Sequence, residues 1–286
     1  MAMAPSPLRY PGGKFGIRNM ISTIINQQEL DRGHYIEPYA GGAGLALSLL
    51  FGGHVHEIHL NDLDRSIWSF WYSILNQPER FISAIRDVEV TLDEWKTQRE
   101  VQTNKESADV FDLGFSTFFL NRTNRSGIIQ KAGVIGGLKQ NGAYKLDCRF
   151  GKTGLIERIE RIRKYSHRIN LYNEDAIDFI QKSERELPEN KVFCIDPPYY
   201  HKGATLYTNF YEHSDHFKIS EVINRLTSSW LLTYDNCKEI SHLYEQFNQF
   251  TFNLNYTAAE KRVGKELLIT NMEINDISES CSLSPA

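Results

Sequence analysis

A strand–turn–helix–strand unit between residues 34 and 62 constrains the fold more than any other feature of this chain. HYIEPYA (34–40) is predicted to be a strand, GGAG a turn, residues 45–51 an apolar helix and EIHLND (57–62) a second strand. Two strands joined by a crossover helix lie parallel in one sheet. The unit therefore predicts an α/β fold whose ligands bind outside the carboxyl ends of the strands.

Further strand signals extend this sheet. They lie at residues 169–173, 192–195, 230–236, 250–256 and 266–271. The last two predict an antiparallel hairpin on one edge of a doubly wound sheet. Residues 15–28 and 66–119 have helical patterns, whereas the seven glycines of 121–154 favour loops and hairpins.

Composition limits the class of protein. A chain of 286 residues suits one large domain or a core with an insertion. Its four cysteines lack a C-x-x-C pair, so we expect neither a disulfide framework nor a cysteine zinc site, and no metal ligands are assigned. No leader or membrane-spanning segment is expected, and a cytoplasmic location fits best.

Charge is distributed unevenly along the chain. Residues 121–168 hold twelve Lys or Arg against three acidic residues, a net charge of +9, although the whole chain is −4. The remainder, with 20 basic and 33 acidic residues, is −13. A basic segment on an acidic protein predicts a polyanion-binding face; a solvated helix face is the alternative.

The stretch VFCIDPPYYHKG (192–203) predicts a site at a strand end. Residues 192–195 form a short apolar strand, and Asp196 follows at its carboxyl end. Pro197 and Pro198 cannot donate hydrogen bonds to a sheet, and they restrict the turn. A rigid carboxylate next to aromatic Tyr199 indicates a ligand site, with a capped strand end as the alternative.

Two other strand ends carry candidate ligand groups. In EPYAGGAG, the glycines Gly41, Gly42 and Gly44 let a ligand approach the backbone, or they serve tight packing. Asp62 could hold the hydroxyls of a ribose, and it is preferred to Asp64 because it lies nearer the strand end. Either residue could instead cap the helix that follows.

Asp175, after the strand at 169–173, could accept a hydrogen bond from an adenine amino group or cap a helix. These groups suit a cofactor that carries an adenosine.

Several motifs, in this order, resemble the Dam-type DNA adenine methyltransferase family: RYPGGK, EPYAGGAG, LND, FFLNRTNRSG, DPPY and ELLITN. The resemblance spans about residues 8–271. It implies a Rossmann-like methyltransferase sheet (1–66 and 166–286) with an inserted, mainly helical target-recognition domain (67–165). It also implies S-adenosyl-L-methionine as cofactor, bound by Tyr10, Lys14, Pro38, Ala40, Gly41, Gly42, Gly44, Asp62, Asp175, Ala176 and Asp196.

The resemblance implies methyl transfer to the amino group of an adenine flipped out of double-stranded DNA. Asp196 and the Pro197 carbonyl would accept hydrogen bonds from the amine, Pro198 would stiffen the turn, and Tyr199 would stack on the base. The aromatic loop 199–216 is expected to close over the base. The residues predicted to contact DNA are Asn121, Arg122, Arg125, Lys139, Asn141, Tyr207 and Phe210.

Other functions stay open at this point. Cytosine amino methylation uses the same logic, RNA is another acceptor, and a silent DNA-binding protein could keep the fold. A nicotinamide dehydrogenase is disfavoured by the glycine spacing. A cognate restriction endonuclease acting on the same site is a candidate partner, and a monomer or weak dimer is expected.

Overall fold

A single mixed sheet organises the chain in the computed structural model, which describes residues 4–10, 12–201, 211–256, 262–274 and 283–286. The strands are β1 His34–Glu37, β2 Glu57–Asn61, β3 Ile169–Tyr172, β4 Lys191–Ile195, β5 Ser229–Asp235, β6 Asn248–Tyr256, β7 Arg262–Thr270 and β8 Ser284–Pro285. Their order is β3-β2-β1-β4-β5-β7-β6-β8.

The pairing confirms the predicted topology. Strands β1 to β5 are parallel to one another, and β7 runs antiparallel to both β5 and β6. The predicted edge hairpin is therefore β6–β7, with the two-residue β8 on its outer side. The carboxyl ends of β1, β2 and β4 meet at one edge of the sheet.

Helices cover both faces of this sheet. They are α1 Arg18–Gln27, α2 Gly44–Gly52, α3 Arg65–Asn76, α4 Pro78–Asp87, α5 Leu92–Thr103, α6 Val110–Thr123, α7 Lys152–Lys164, α8 Ala176–Glu186, α9 His213–Ile223 and α10 Lys238–Leu243. Short 3₁₀ turns lie at Lys14–Ile17, Arg125–Gly127 and Ser166–Arg168. The helix predicted from residue 15 thus begins as a 3₁₀ turn.

The long helical pattern at 66–119 is divided by local start signals. Pro78 stands at the first position of α4, where its missing N–H is harmless. The Thr91 side chain caps α5 and the Asp109 side chain caps α6. Each cap accepts hydrogen bonds from N–H groups in the first turn of its helix. In one continuous helix these groups would already be bonded to the preceding turn.

Side chains alternate between two apolar layers because successive strand residues point to opposite faces. Ile36 and Phe193 join a cluster with α8, α9 and α10, whereas Tyr35 and Leu60 face the layer of α1, α2 and α3. This second layer continues without interruption into α4 to α7. The predicted insertion at 67–165 therefore shares a core with the sheet, and its first boundary falls in the first turn of α3.

The segment between α6 and α7 is mostly loop, as predicted, but Lys139 and Asn141 do not lie on a hairpin of paired strands. One antiparallel bridge joins Asn124 to Val134. The chain then turns through Gly136 and Gly137, whose φ angles are +82° and +73°. Two consecutive positive φ values end an extended strand, so a series of turns follows the bridge.

None of the described helices is long and apolar enough to cross a lipid bilayer.

Candidate active site

A cleft of about 570 Å³ opens at the carboxyl ends of β1, β2 and β4. Its walls are the turn after β1, the residues after β2, the start of DPPY, the N-terminal RYPGGK segment and part of the loop after α6. The cleft brings together these predicted residues: Tyr10, Lys14, Pro38, Ala40, Gly41, Gly42, Gly44, Asp62, Arg122, Ala176, Asp196 and Pro198. Motifs far apart in the sequence thus form one site.

The glycine turn after β1 lies against Tyr10. Gly41 has a φ of +46°, and a Cβ on it would sit 2.7 Å from the Tyr10 ring. A Cβ on Gly42 would sit 2.8 Å from Tyr10 Cβ. Both positions need glycine for conformation or space, whereas a Cβ on Gly44 would meet only an ordinary contact at 3.6 Å.

Asp62 and Asp64 have different roles in the structure. Asp62 lies in the cleft, where Oδ2 accepts the Gly41 N–H at 2.9 Å and Oδ1 accepts the Asp64 N–H at 2.9 Å. Burial raises the pKa of Asp62 to about 7, and the neighbouring Asp64 adds to the rise. Asp64 caps α3 through the Ser66 N–H and pairs with Lys105 at 3.3 Å. The capping alternative therefore applies to Asp64.

Asn61 joins three strand ends, a role that the sequence did not reveal. It is fully buried, and its Nδ2 donates to the Pro38 carbonyl at 3.1 Å and the Glu174 carbonyl at 3.0 Å. Its Oδ1 accepts the Glu174 N–H, and its own carbonyl accepts the Ala40 N–H at 2.8 Å. Asn61 thereby fixes the segment that holds Pro38 and Ala40.

Asp175 caps a helix, which was one of its two predicted roles. Its exposed side chain accepts the Ile177 N–H at the start of α8. Asp175 does not line the cleft, although the adjacent Ala176 does. The structure thus favours the capping alternative for this residue.

Asp196 is held by two side-chain donors. Lys14 Nζ lies 2.8 Å from its Oδ1 and 2.9 Å from its Oδ2, and the Thr233 hydroxyl donates to Oδ1 at 2.7 Å. The Asp196 side chain keeps 23% of its surface exposed, so it is open to the cleft while Lys14 is buried beneath it. Charge-assisted bonds of this kind fix a carboxylate in position.

Tyr199 is part of the same network through its hydroxyl. This group donates to Glu266 and accepts from Lys14 Nζ at 3.1 Å, and Lys14 is also 3.6 Å from Glu266. The Tyr199 side chain is 2% exposed. In this conformation the ring offers no open face to a base. Glu266 was not among the residues predicted for the site. A carboxylate within the apolar strand ELLIT was the feature of the sequence that could have indicated it.

Glu37 is another carboxyl group in the cleft, at the end of β1. Burial raises its pKa to about 8, against the effect of a 3.0 Å hydrogen bond from the Tyr35 hydroxyl. The raised pKa favours the protonated form of Glu37 near neutral pH, which limits its competition with Asp196 for Lys14.

Four neighbouring arginines also line the cleft: Arg9, Arg122, Arg149 and Arg158. Arg122 is 6% exposed, and burial, followed by its three arginine neighbours, lowers its pKa to about 9. The Nε atoms of Arg122 and Arg158 and Nη1 of Arg9 are buried without a hydrogen-bond partner among the described residues. Such a group of uncompensated donors suits a polyanion.

The Asn121 side chain holds the backbone of Arg9, one of these four arginines. Asn121 is fully buried; its Oδ1 accepts the Arg9 N–H, and its Nδ2 donates to the Arg9 and Gly127 carbonyls. A Cβ on Gly127 would sit 2.2 Å from the Arg9 carbonyl oxygen. The predicted DNA contact of Asn121 is therefore corrected to a positioning role, because its polar atoms are already used.

Arg125, Lys139 and Asn141 are exposed on the loop after α6, outside the cleft. Tyr207 and Phe210 lie outside the described residues, so their predicted contacts stay predictions.

Comparison with known proteins identifies the family. The chain is 24% identical over 263 residues to the type II methyltransferase M.MjaIII of Methanocaldococcus jannaschii, covering 84% of this chain and 88% of that one. A solved S-adenosylmethionine-dependent methyltransferase from Agrobacterium tumefaciens aligns with a TM-score of 0.43 and 10% identity, over 90% of this chain but only 62% of that structure. Residues 10–258 match the model of the D12 class N6 adenine-specific DNA methyltransferases. The chain therefore belongs to this family of adenine-specific DNA methyltransferases, which confirms the resemblance drawn from its motifs.

Proposed function

We propose that this protein binds S-adenosyl-L-methionine in the cleft and transfers its methyl group to the exocyclic amino group of adenine in double-stranded DNA. The observation that carries the proposal is the position of Asp196. It stands at the carboxyl end of β4, held by Lys14 and Thr233, and opens into a cleft that also contains the glycine turn.

The cleft residues fit this cofactor. A volume of about 570 Å³ lies within the range of roughly 300–1,000 Å³ typical of small-molecule sites. Gly41 and Gly42 leave the backbone accessible, and Asp62 can accept hydrogen bonds from ribose hydroxyls once its carboxyl group ionises. The exposed cap Asp175 is left out of this proposed set. When bound, the cofactor supplies an electrophilic methyl group on a sulfonium.

Asp196 would make the adenine amine nucleophilic. The lone pair of this amine is delocalised into the ring, and acceptors that bind its hydrogens favour the pyramidal form. Asp196 and the carbonyl of Pro197 are the proposed acceptors, held still by Lys14, Thr233 and the Pro197–Pro198 turn. The methylated amine is cationic until one N–H proton moves to the Asp196 carboxylate, which is already in hydrogen-bond contact with it.

The arginine group of the cleft supports DNA as the substrate. Its members line the same cleft as Asp196 and have no acidic partner among the described residues. An adenine within a duplex cannot reach Asp196, so we infer that the base is flipped out, at a cost of a few kcal/mol. Phosphates beside the flipped nucleotide would compensate the buried arginines.

Product analysis tests this proposal. The purified protein, an unmethylated duplex library and the cofactor are incubated, and the DNA is digested to nucleosides for mass spectrometry. N6-methyladenine is expected with wild type and with the exposed control Asp178→Ala, but not with Asp196→Ala. Only N4-methylcytosine would establish the cytosine alternative, and binding without any methylation would indicate a silent DNA-binding protein.

We include a restriction–modification role in the proposal, because the archaeal relative is named a type II methyltransferase. Sites methylated by this protein in an expressing host should then resist cleavage by an endonuclease of the same specificity.

A further inference from the structure

A second cluster of ligating side chains lies at the opposite end of the sheet from the cleft. His34 is the first residue of β1 and Glu57 the first residue of β2, and the two are paired in register. His59 lies two residues after Glu57, so it projects from the same face of the sheet. We call His34, Glu57 and His59 the amino-end cluster.

The ligand atoms of the amino-end cluster lie within 4.8 Å of one another. His34 Nδ1 and His59 Nε2 are 2.9 Å apart, and one hydrogen bond joins them. A tetrahedral Zn²⁺ with Zn–N bonds of about 2.0–2.1 Å holds two imidazole nitrogens about 3.3 Å apart. An ion would therefore need the two rings to separate by only a few tenths of an ångström.

The neighbouring residues orient these ligands. Asn170 Nδ2 donates to Glu57 Oε2 at 2.9 Å, and the Tyr172 hydroxyl lies 3.1 Å from His59 Nδ1. A hydrogen bond on the second ring nitrogen fixes the tautomer of a metal-binding histidine.

We propose that the amino-end cluster binds one divalent transition-metal ion of the type that prefers imidazole ligands, with Zn²⁺ as the probe. Two histidines and one carboxylate are a common zinc-ligand set, and the fourth position would be taken by water. The Glu57 side chain is 29% exposed, which provides a path for the ion. Such an ion joins β1 to β2, and its role is separate from methyl transfer.

Calorimetry with ZnCl₂ tests the proposal on the full chain after chelator treatment and dialysis. Wild type is expected to bind one equivalent at the amino-end cluster with a dissociation constant of micromolar or below. Glu57→Gln and His34→Ala should each weaken binding at least tenfold, and circular dichroism checks their folding. His167→Ala, which removes an exposed histidine elsewhere, should bind like wild type. Co²⁺ should give the intense visible absorption of a four-coordinate ion in wild type and not in His34→Ala.

Two results would overturn the proposal. Wild type without measurable Zn²⁺ binding would show that His34 and His59 form only a hydrogen-bonded pair. Binding unchanged by His34→Ala and Glu57→Gln would place the ion elsewhere; the candidate is the group of His201, Cys237 and Glu239, which Cys237→Ser would identify.

Discussion

The hydroxyl of Tyr199 is expected to be as important as its ring. Tyr199→Phe removes a donor to Glu266 and an acceptor for Lys14, and it keeps the aromatic surface. The Lys14 and Glu266 side chains are 5% and 1% exposed, so water cannot easily replace the lost partner. If Tyr199 acted only as a stacking face for the base, the phenylalanine variant would be mild.

The structure sets the size of the effect. A hydrogen bond to a charged group contributes about 1.5–3 kcal/mol, and 1.4 kcal/mol corresponds to a factor of ten. We therefore expect kcat to fall roughly ten- to a hundredfold in Tyr199→Phe, because Lys14 would no longer be fixed under Asp196. The free energy of unfolding should fall by about 1–3 kcal/mol for the same reason.

A double-mutant cycle isolates this interaction. Tyr199→Phe, Glu266→Gln and the double variant are compared by urea unfolding and by methylation of one duplex, with kcat and KM determined separately. Residues in one buried network are expected to couple by about 1 kcal/mol or more. Tyr144→Phe, at a tyrosine that is 68% exposed, is the control for loss of a hydroxyl. A Tyr199→Phe enzyme within threefold of wild type, with additive effects on stability, would refute the positioning role and favour stacking alone.

Four further predictions concern other parts of the site. Asp196→Ala should lower kcat at least a thousandfold in a radiolabelled methyl-transfer assay, and it should also lower the unfolding midpoint because the buried Lys14 loses its 2.8 Å ion pair. Because the pKa of Asp62 is about 7 and its ionised form accepts ribose hydrogen bonds, cofactor affinity measured by calorimetry should rise between pH 6 and 8; Asp62→Asn should remove this dependence and weaken binding about tenfold. If Arg125 contacts a phosphate, Arg125→Ala should reduce the slope of log DNA affinity against log salt concentration by about one and leave the preferred DNA sequence unchanged. If Lys139 contacts a base, Lys139→Ala should instead relax the sequence preference in a duplex-selection assay. Asn121→Ala should destabilise the fold by several kcal/mol in urea unfolding, because it removes two hydrogen bonds to the part-buried Arg9 backbone and one to the buried Gly127 carbonyl.

Local patterns were enough to predict seven of the eight described strands; the two-residue β8, Ser284–Pro285, was not predicted. The apolar run at 192–195 became β4 Lys191–Ile195, and the run at 250–256 became β6 Asn248–Tyr256. These strands follow from periodicity because their side chains face apolar layers on fixed faces. The preference for Asp62 over Asp64 came from its position nearer the end of β2, not from periodicity. The division of roles depends on which carboxylate the turn after β2 directs to α3, and the structure gives that role to Asp64.

The roles of Asn121 and Glu266 depend on long-range contacts that no local pattern encodes. Asn121 bonds to the Arg9 backbone across 112 residues, and Tyr199 reaches Glu266 across 67. The first contact has a structural consequence: Asn121 lies in the last turn of α6, and Arg9 lies five residues before Lys14. Helix α6 thus holds the segment that places Lys14 against Asp196. The arginine group and the Asp196 carboxylate depend on the same segment, so a change at Asn121 should disturb both DNA affinity and methyl transfer.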